Sequence, residues 1–315
     1  MNPLILCIYH GNCADGFTAA WVVRRALGAD AVDFYPGVYQ RPPPDVTDRD
    51  VIFVDFCYKK EIMLELAKKA KSIMVLDHHK SAAIDMNDVK HVWGFSRTDW
   101  ESMVRYGDPF SRVMLEFDMN RSGAGLTWDF FNPGEPRPKL IDHVEDRDLW
   151  KFKLPNTREI QACLFSYPYD FEVWDSLIEG FEHPNPRNLM IDGGIAIERK
   201  HFKDIEELIL VSTRPMRLGG YLVPVANLPY TMTSDAGHIL CSRNFEGRKS
   251  ADPNDPYKQP FAATYYDTPN GRQFSLRSEP GGVDVSEIAV QYGGGGHARA
   301  AGFLRSYSLL SDFEP

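Results

Sequence analysis

Along the first half of the chain, apolar and polar positions fall into blocks with the lengths of strands and helices. Leu4-Ile5-Leu6-Cys7-Ile8-Tyr9 is a short apolar run that reads as a buried strand, and Gly16 to Leu27 follows with helical composition. "VIFVDF" (Val51 to Phe56) is a second buried strand leading into the helical "KKEIMLELAKKAK", and "SIMVLDHH" (Ser72 to His79) is a third. Strand, helix, strand, helix predicts a parallel sheet with crossover helices. Each strand runs directly into a polar cluster: His10 to Asp15, then Asp55, then Asp77-His78-His79. In a parallel sheet the carboxyl ends share one rim, where open α/β sheets bind ligands, so these residues are expected to converge.

The pattern then loosens. Met86 to Asn120 is irregular and reads as an elaborated connection. "SGAGLTWDFF" resumes helical character, and "PKLIDHVEDRDLWKF" (Pro138 to Phe152) adds an acidic cluster. The Pro-rich "EHPNPRN" (Glu182 to Asn188) marks a boundary. The helix after it places Ile195, Phe202, Ile205 and Ile209 on one face and joins two domains. In the last hundred residues "YLVPVANL", "FAATYYD" and "RQFSLRS" read as strands, with a polar loop (Ala251 to Pro260) among them. "VSEIAVQY" has helical spacing and leads into "GGGGHARAAGF". The expected architecture is α/β: a parallel-sheet domain over 1–187, a linker helix over 188–212 and a smaller α/β domain over 213–315.

Composition sharpens this picture. A chain of 315 residues can hold two domains with their own cores, and 43% hydrophobic with 25% charged residues is ordinary for a globular protein. The net charge of −9 argues against an electrostatic track for long duplex DNA. A small anionic substrate in a local pocket stays open, above all where metal ions supply positive charge. Five scattered cysteines without a C-x-x-C pair indicate neither a disulfide framework nor a cysteine zinc site, and a reducing cytoplasm is expected. The first residues lack a secretory pattern and no apolar run approaches about 18 residues, so a soluble protein without a membrane partner is expected.

His10, Asp15, Asp55, His78 and Asp146 form a candidate metal set, because mixed imidazole and carboxylate ligands suit manganese, zinc or iron. Any one of these aspartates alone could equally cap a helix. Two adjacent histidines on an extended backbone point in opposite directions, so His78 and His79 divide between a metal and a substrate phosphate. The glycine run with His297 and Arg299 reads as an anion nest or as a flexible loop. Arg277, on a strand with Ser275, reads as a phosphate fork or a surface ion pair. Cys13 is a nucleophile or a small packed side chain. The tryptophans of "WVVRRALG", "VWGF" and "TDW" are stacking surfaces or core.

Taken in order, "HGNCADG", Asp55 in "VIFVDF", Asp77-His78-His79, Asp146 in "VEDRDLW" and "GGGGHARAAG" resemble the motifs of a known family, and "SLRS" fits with them. The chain is similar over nearly its whole length to DHH phosphoesterases that carry the DHH-associated C-terminal domain, the nanoRNase or oligoribonuclease-like group. The resemblance implies two divalent ions, manganese foremost with magnesium or cobalt as alternatives. Asp55 would bridge them, with His10, Asp15, His78 and Asp146 as further ligands and Asp77 nearby, and catalytic His79 would sit near the scissile phosphate. It also implies that Arg277, Ser278, Gly294-Gly295-Gly296, His297 and Arg299 hold the substrate's other end across an interdomain cleft. One departure stands in the first motif, where Cys13 takes a position that is Asp in many relatives. The shell of one ion would then be altered, with Asn12 or water filling in.

The implied reaction is metal-dependent hydrolysis of short oligonucleotides or linear or cyclic dinucleotides to 5′-mononucleotides by a metal-activated hydroxide. A homodimer is a candidate assembly. The alternatives are a 3′-phosphoadenosine-5′-phosphate phosphatase, a single-strand-specific 5′–3′ exonuclease, and a nucleotide-sensing module that has lost catalysis.

Overall fold

The computed structural model describes residues 5–39, 41–89, 94–106, 113–182, 189–243 and 259–309. The chain divides into two compact units, Met1–Glu198 and Arg199–Pro315. Five strands of the first unit, β1 (Ile5–His10), β2 (Val32–Gly37), β3 (Asp50–Val54), β4 (Ser72–Asp77) and β5 (Val113–Phe117), form a sheet. Their order is β2-β1-β3-β4-β5, and every pairing is parallel. The helices of this unit are α1 (Ala14–Leu27), α2 (Lys60–Lys69), α3 (Lys80–Asp85), α4 (Arg97–Tyr106), α5 (Gly123–Phe131), α6 (Lys139–Asp148), α7 (Thr157–Leu164) and α8 (Phe171–Glu182).

Successive strand side chains go to opposite faces, which splits the apolar residues into two cores. Cys7, Ile52, Val54, Met74 and Leu76 pack with residues of α1, α5, α6 and α8. Leu6, Ile8, Val51, Phe53, Ile73 and Val75 pack with Met63 and Leu66 of α2 on the other face. Each fully buried large apolar chain contributes roughly 1.5–3 kcal/mol, so burial on both faces fixes register firmly. The helix α1 is further anchored by α8: the Trp174 indole donates to Thr18 Oγ1 at 3.0 Å, and the Trp21 indole to Asp175 at 2.7 Å. Trp21 and Trp100 both lie in the core, not on a stacking surface. Trp93 of "VWGF" lies outside the described residues.

The long helix α9 (Leu189–Ser212) contains the division between the units. Its expected apolar face is buried only from Ile205 onward: Ile205 and Ile209 pack in a core, whereas Ile195 is 47% exposed. The Pro-rich stretch before it and most of the polar loop expected over 251–260 lie outside the described residues.

The second unit adds β6 (Thr213–Leu218), β7 (Tyr221–Asn227), α10 (Thr233–Cys241), β8 (Ala262–Thr268), β9 (Gly271–Arg277), α11 (Val285–Gln291), β10 (Gly295–His297) and β11 (Ala300–Arg305). Its sheet order is β10-β11-β9-β8-β7-β6, antiparallel except for β7 beside β8. Phe261, Phe274, Leu276, Ile288 and Phe303 form its main core. No helix among the described residues is long and apolar enough to cross a membrane.

Candidate metal centre

The carboxyl ends of β1, β3 and β4 deliver the site. His10 closes β1, Asp55 follows β3 directly, and Asp77 closes β4 with His78 and His79 behind it. Asp55 takes a left-handed backbone (φ 55°), a conformation that Asp tolerates better than most residues. Its amide donates to Leu76 O at 2.9 Å, tying the turn to the neighbouring strand end. Asp15 comes from the first turn of α1, with Cys13 as that helix's N-cap residue.

His78 Nε2 faces three carboxylates, Asp55 Oδ1 at 3.0 Å, Asp148 at 3.5 Å and Asp15 at 3.8 Å. His10 Nδ1 lies 3.5 Å from Asp55 Oδ2. Asp15 is held by the amino terminus of α5: the Gly123 and Ala124 amides donate to its two oxygens at 2.6 and 3.0 Å. A helix amino terminus suits a carboxylate because its amides lack partners within the helix. His79 Nδ1 donates to Asp77 Oδ1 at 2.7 Å, and the same oxygen accepts from the His78 amide. Asp77 therefore orients His79 and sets its tautomer.

The electrostatics follow from crowding. Burial, and then the Asp55 and Asp148 charges, push the Asp15 carboxyl well above its ordinary range. Burial likewise raises Asp148, with Asp55 adding to it. For Asp55 burial acts upward, but the facing imidazoles of His10 and His78 overcome it and hold the carboxyl well below its usual range. Burial would lower His78, yet Asp148, Asp55 and Asp15 raise it well above an ordinary histidine. Burial, and then the Asp55, Asp148 and Asp15 charges, push the Cys13 thiol well above its ordinary range.

Three acidic groups crowded on one imidazole nitrogen are a place where a divalent cation relieves repulsion. Asp55 Oδ2 is buried and accepts no hydrogen bond from the described residues, and a cation bound there would satisfy it. Among residues of the first unit, ligand-capable atoms group within 4.8 Å of one another as His10, Cys13 and Asp55, as Asp15, His78 and Asp148, and as Asp55, Asp77 and His79. The donors fit one or more divalent ions.

Asp146 requires a correction. It does not face this cluster: its oxygens accept from the Lys153 and Leu154 amides and from Thr157 Oγ1 at 2.8, 3.0 and 2.7 Å. Asp148, two residues on, stands beside His78 instead. Two helical positions differ by about 200° around the axis, so only one of the pair can face the site. A second correction concerns the paired histidines. Their rings are 4.9 Å apart and not on opposite faces, because β4 ends at Asp77 and the chain turns into α3.

The remaining expected residues fall elsewhere. Asn12 is exposed with φ 57°. In the second unit Arg277 donates to Ser275 Oγ, Leu276 O and Ser234 Oγ. Ser278 is buried, its amide donating to Arg299 O and its hydroxyl to Ala298 O. The glycine run is not an open nest. Gly295-Gly296-His297 form β10, paired in a hairpin with β11, while the Gly293 and Gly294 amides close α11 on Val290 O and Ala289 O. Arg299 is exposed in the hairpin turn.

Two glycines matter through close approach. A Cβ on Gly16 would lie 2.4 Å from His10 O, and one on Gly123 would lie 2.3 Å from Asp55 Cβ. Gly16 therefore serves the packing of α1 against the end of β1. Gly123→Ala is expected to displace Asp55 and cost about 1–3 kcal/mol of stability, read by thermal melting, together with weakened metal binding in equilibrium dialysis.

No family model matches the chain. It is 26% identical over 322 aligned positions to an uncharacterised protein of Acanthamoeba polyphaga mimivirus, covering 95% of this chain and 67% of that protein. It is 23% identical over 315 positions to the oligoribonuclease NrnB of Bacillus subtilis, covering 94% of this chain and 71% of that protein. The solved structure of RecJ from Thermus thermophilus in complex with Mn2+ aligns with 98% of this chain and 50% of that one, at 14% identity and a TM-score of 0.45.

Proposed function

We propose that this chain is a phosphoesterase of the DHH family that hydrolyses phosphodiester bonds in short oligonucleotides or dinucleotides and releases 5′-mononucleotides with divalent metal. The observation that carries the reading is the convergence of Asp15, Asp55 and Asp148 on His78 Nε2 at the strand ends. Asp15, Asp55, His78, Asp148 and His10 would hold the ions, with manganese the first candidate. Bound there, divalent ions supply Lewis-acid polarisation of a phosphoryl oxygen and a water acidic enough to react at neutral pH.

The chain's own groups do the rest. Asp77 holds His79 by Nδ1, which directs the opposite ring nitrogen to meet charge developing on a phosphate oxygen. Gly123 and Ala124 fix Asp15, so the ligand geometry exists before substrate arrives. In the second unit the side chains of Arg277, His297 and Arg299 are the candidates for contact with substrate phosphate, the 294–296 glycines being committed to the end of α11 and the β10–β11 hairpin. A short substrate is favoured by the net charge of −9, which offers little to a long polyanion, and by the likeness to a protein named an oligoribonuclease.

A turnover panel with Mn2+ tests this: linear dinucleotides, longer single strands, cyclic dinucleotides and 3′-phosphoadenosine-5′-phosphate. Dinucleotides and short oligomers should turn over fastest. Fastest release of phosphate from phosphoadenosine phosphate, or progressive shortening of long strands, would replace the substrate assignment; no hydrolysis of any diester would sink the reading.

A further inference from the structure

We propose that Cys13 is a metal ligand, its thiolate joining an imidazole nitrogen of His10 and a carboxylate oxygen of Asp55 in a mixed nitrogen, oxygen and sulfur position. The proposal rests on the metal-dependent reading above and adds a ligand and a metal preference to it. Three observations carry it. The donor atoms of His10, Cys13 and Asp55 lie within 4.8 Å of one another. Asp55 is 1% exposed, and its Oδ2, the oxygen facing His10, accepts no hydrogen bond from the described residues. Cys13 holds the N-cap position of α1, where the free amides of a helix amino terminus favour an anionic sulfur.

Cys13 also differs from the other four cysteines. Cys7, Cys57, Cys163 and Cys241 are buried, whereas Cys13 is half-buried at the rim of the sheet. A cation reaching this position exchanges the S–H proton, which leaves to solvent, for a sulfur–metal bond. Thiolate is a softer donor than carboxylate, so this position favours zinc or cobalt(II) over manganese. The chain thereby combines two kinds of position, His10–Cys13–Asp55 with sulfur and Asp15–His78–Asp148 with oxygen and nitrogen alone.

Cobalt(II) added to the chelator-stripped full chain reads the ligand directly, independently of turnover. The wild type should develop a sulfur-to-cobalt charge-transfer band in the near ultraviolet. Cys13→Ser and Cys13→Asp should lose that band completely while still binding cobalt in equilibrium dialysis. Zinc should also protect Cys13 of the wild type from iodoacetamide, read by peptide mass spectrometry, which keeps the test open if a variant fails to fold. Cobalt bound by the wild type without the band, a band that survives in Cys13→Ser, or alkylation unaffected by zinc would overturn the thiolate assignment alone. No cobalt or manganese binding by the wild type would overturn the metal-dependent reading with it.

Discussion

Asp55→Asn removes metal-dependent hydrolysis, lowering kcat by about 10³-fold or more while the chain still folds. The magnitude follows from the several kcal/mol of charge stabilisation that metal ions give a phosphoryl transition state, about 4 kcal/mol corresponding to ~10³-fold in rate. Asp55 belongs to two of the ligand-capable groups and pairs with both His10 and His78, so its charge holds the centre together. Asn is the informative replacement. Its shape matches Asp and it tolerates the left-handed backbone at φ 55°, which Ala does not accept as readily. A lost rate in Asp55→Asn therefore reports the missing carboxylate and not a distorted turn. Circular dichroism checks the fold, and dialysis against manganese checks metal content. Full activity in this variant would sink the assignment.

The parallel sheet was legible because three strands buried on both faces leave continuous apolar runs, and the polar residues at their ends stand out against them. The edges were not. β2 carries Asp33 and Pro36, which an edge strand tolerates because one side needs no partner, and the apolar pattern breaks accordingly. β5, at the other edge, is five residues long and sits within the stretch read as irregular. In the site, the side chains at the strand ends could be read, but the amides of Gly123 and Ala124 leave no side-chain trace. Their only signal is Ser122, which caps α5 on the Gly125 amide, followed by small residues that permit close approach. The glycine run misled because glycine permits both a nest and a tight hairpin, and only the pairing with β11 decides between them.

The choice between Asp146 and Asp148 was within reach of the sequence, and it defines the second large effect. On α6 Ile141 and Val144 lie seven and four residues before Asp148, which places it on their face, while Asp146, itself buried, falls beside His143 on another. Asp148→Asn should lower activity by about 10²-fold or more and weaken metal binding with little change in melting temperature, since it removes a charge facing His78. Asp146→Asn should do the reverse. Its carboxylate accepts three hydrogen bonds that fix the loop after α6, where Trp150 and Phe152 both have positive φ. Losing charged acceptors there costs about 2–4 kcal/mol, read by thermal melting, with metal stoichiometry retained. The pH dependence separates the two further. Burial would raise Asp146, but the Lys153 amide, Thr157 hydroxyl and Leu154 amide outweigh it and hold its carboxyl below the ordinary range. Its stabilisation is thus complete above the unfolded value of about 3.9 and is lost as pH falls through the lower folded value. In the wild type, acid should therefore loosen the 151–154 loop, detected by amide exchange, and Asp146→Asn should show that loosening already at neutral pH. Equal loss of metal in both variants would show that the loop, and not the Asp148 carboxylate itself, holds the centre.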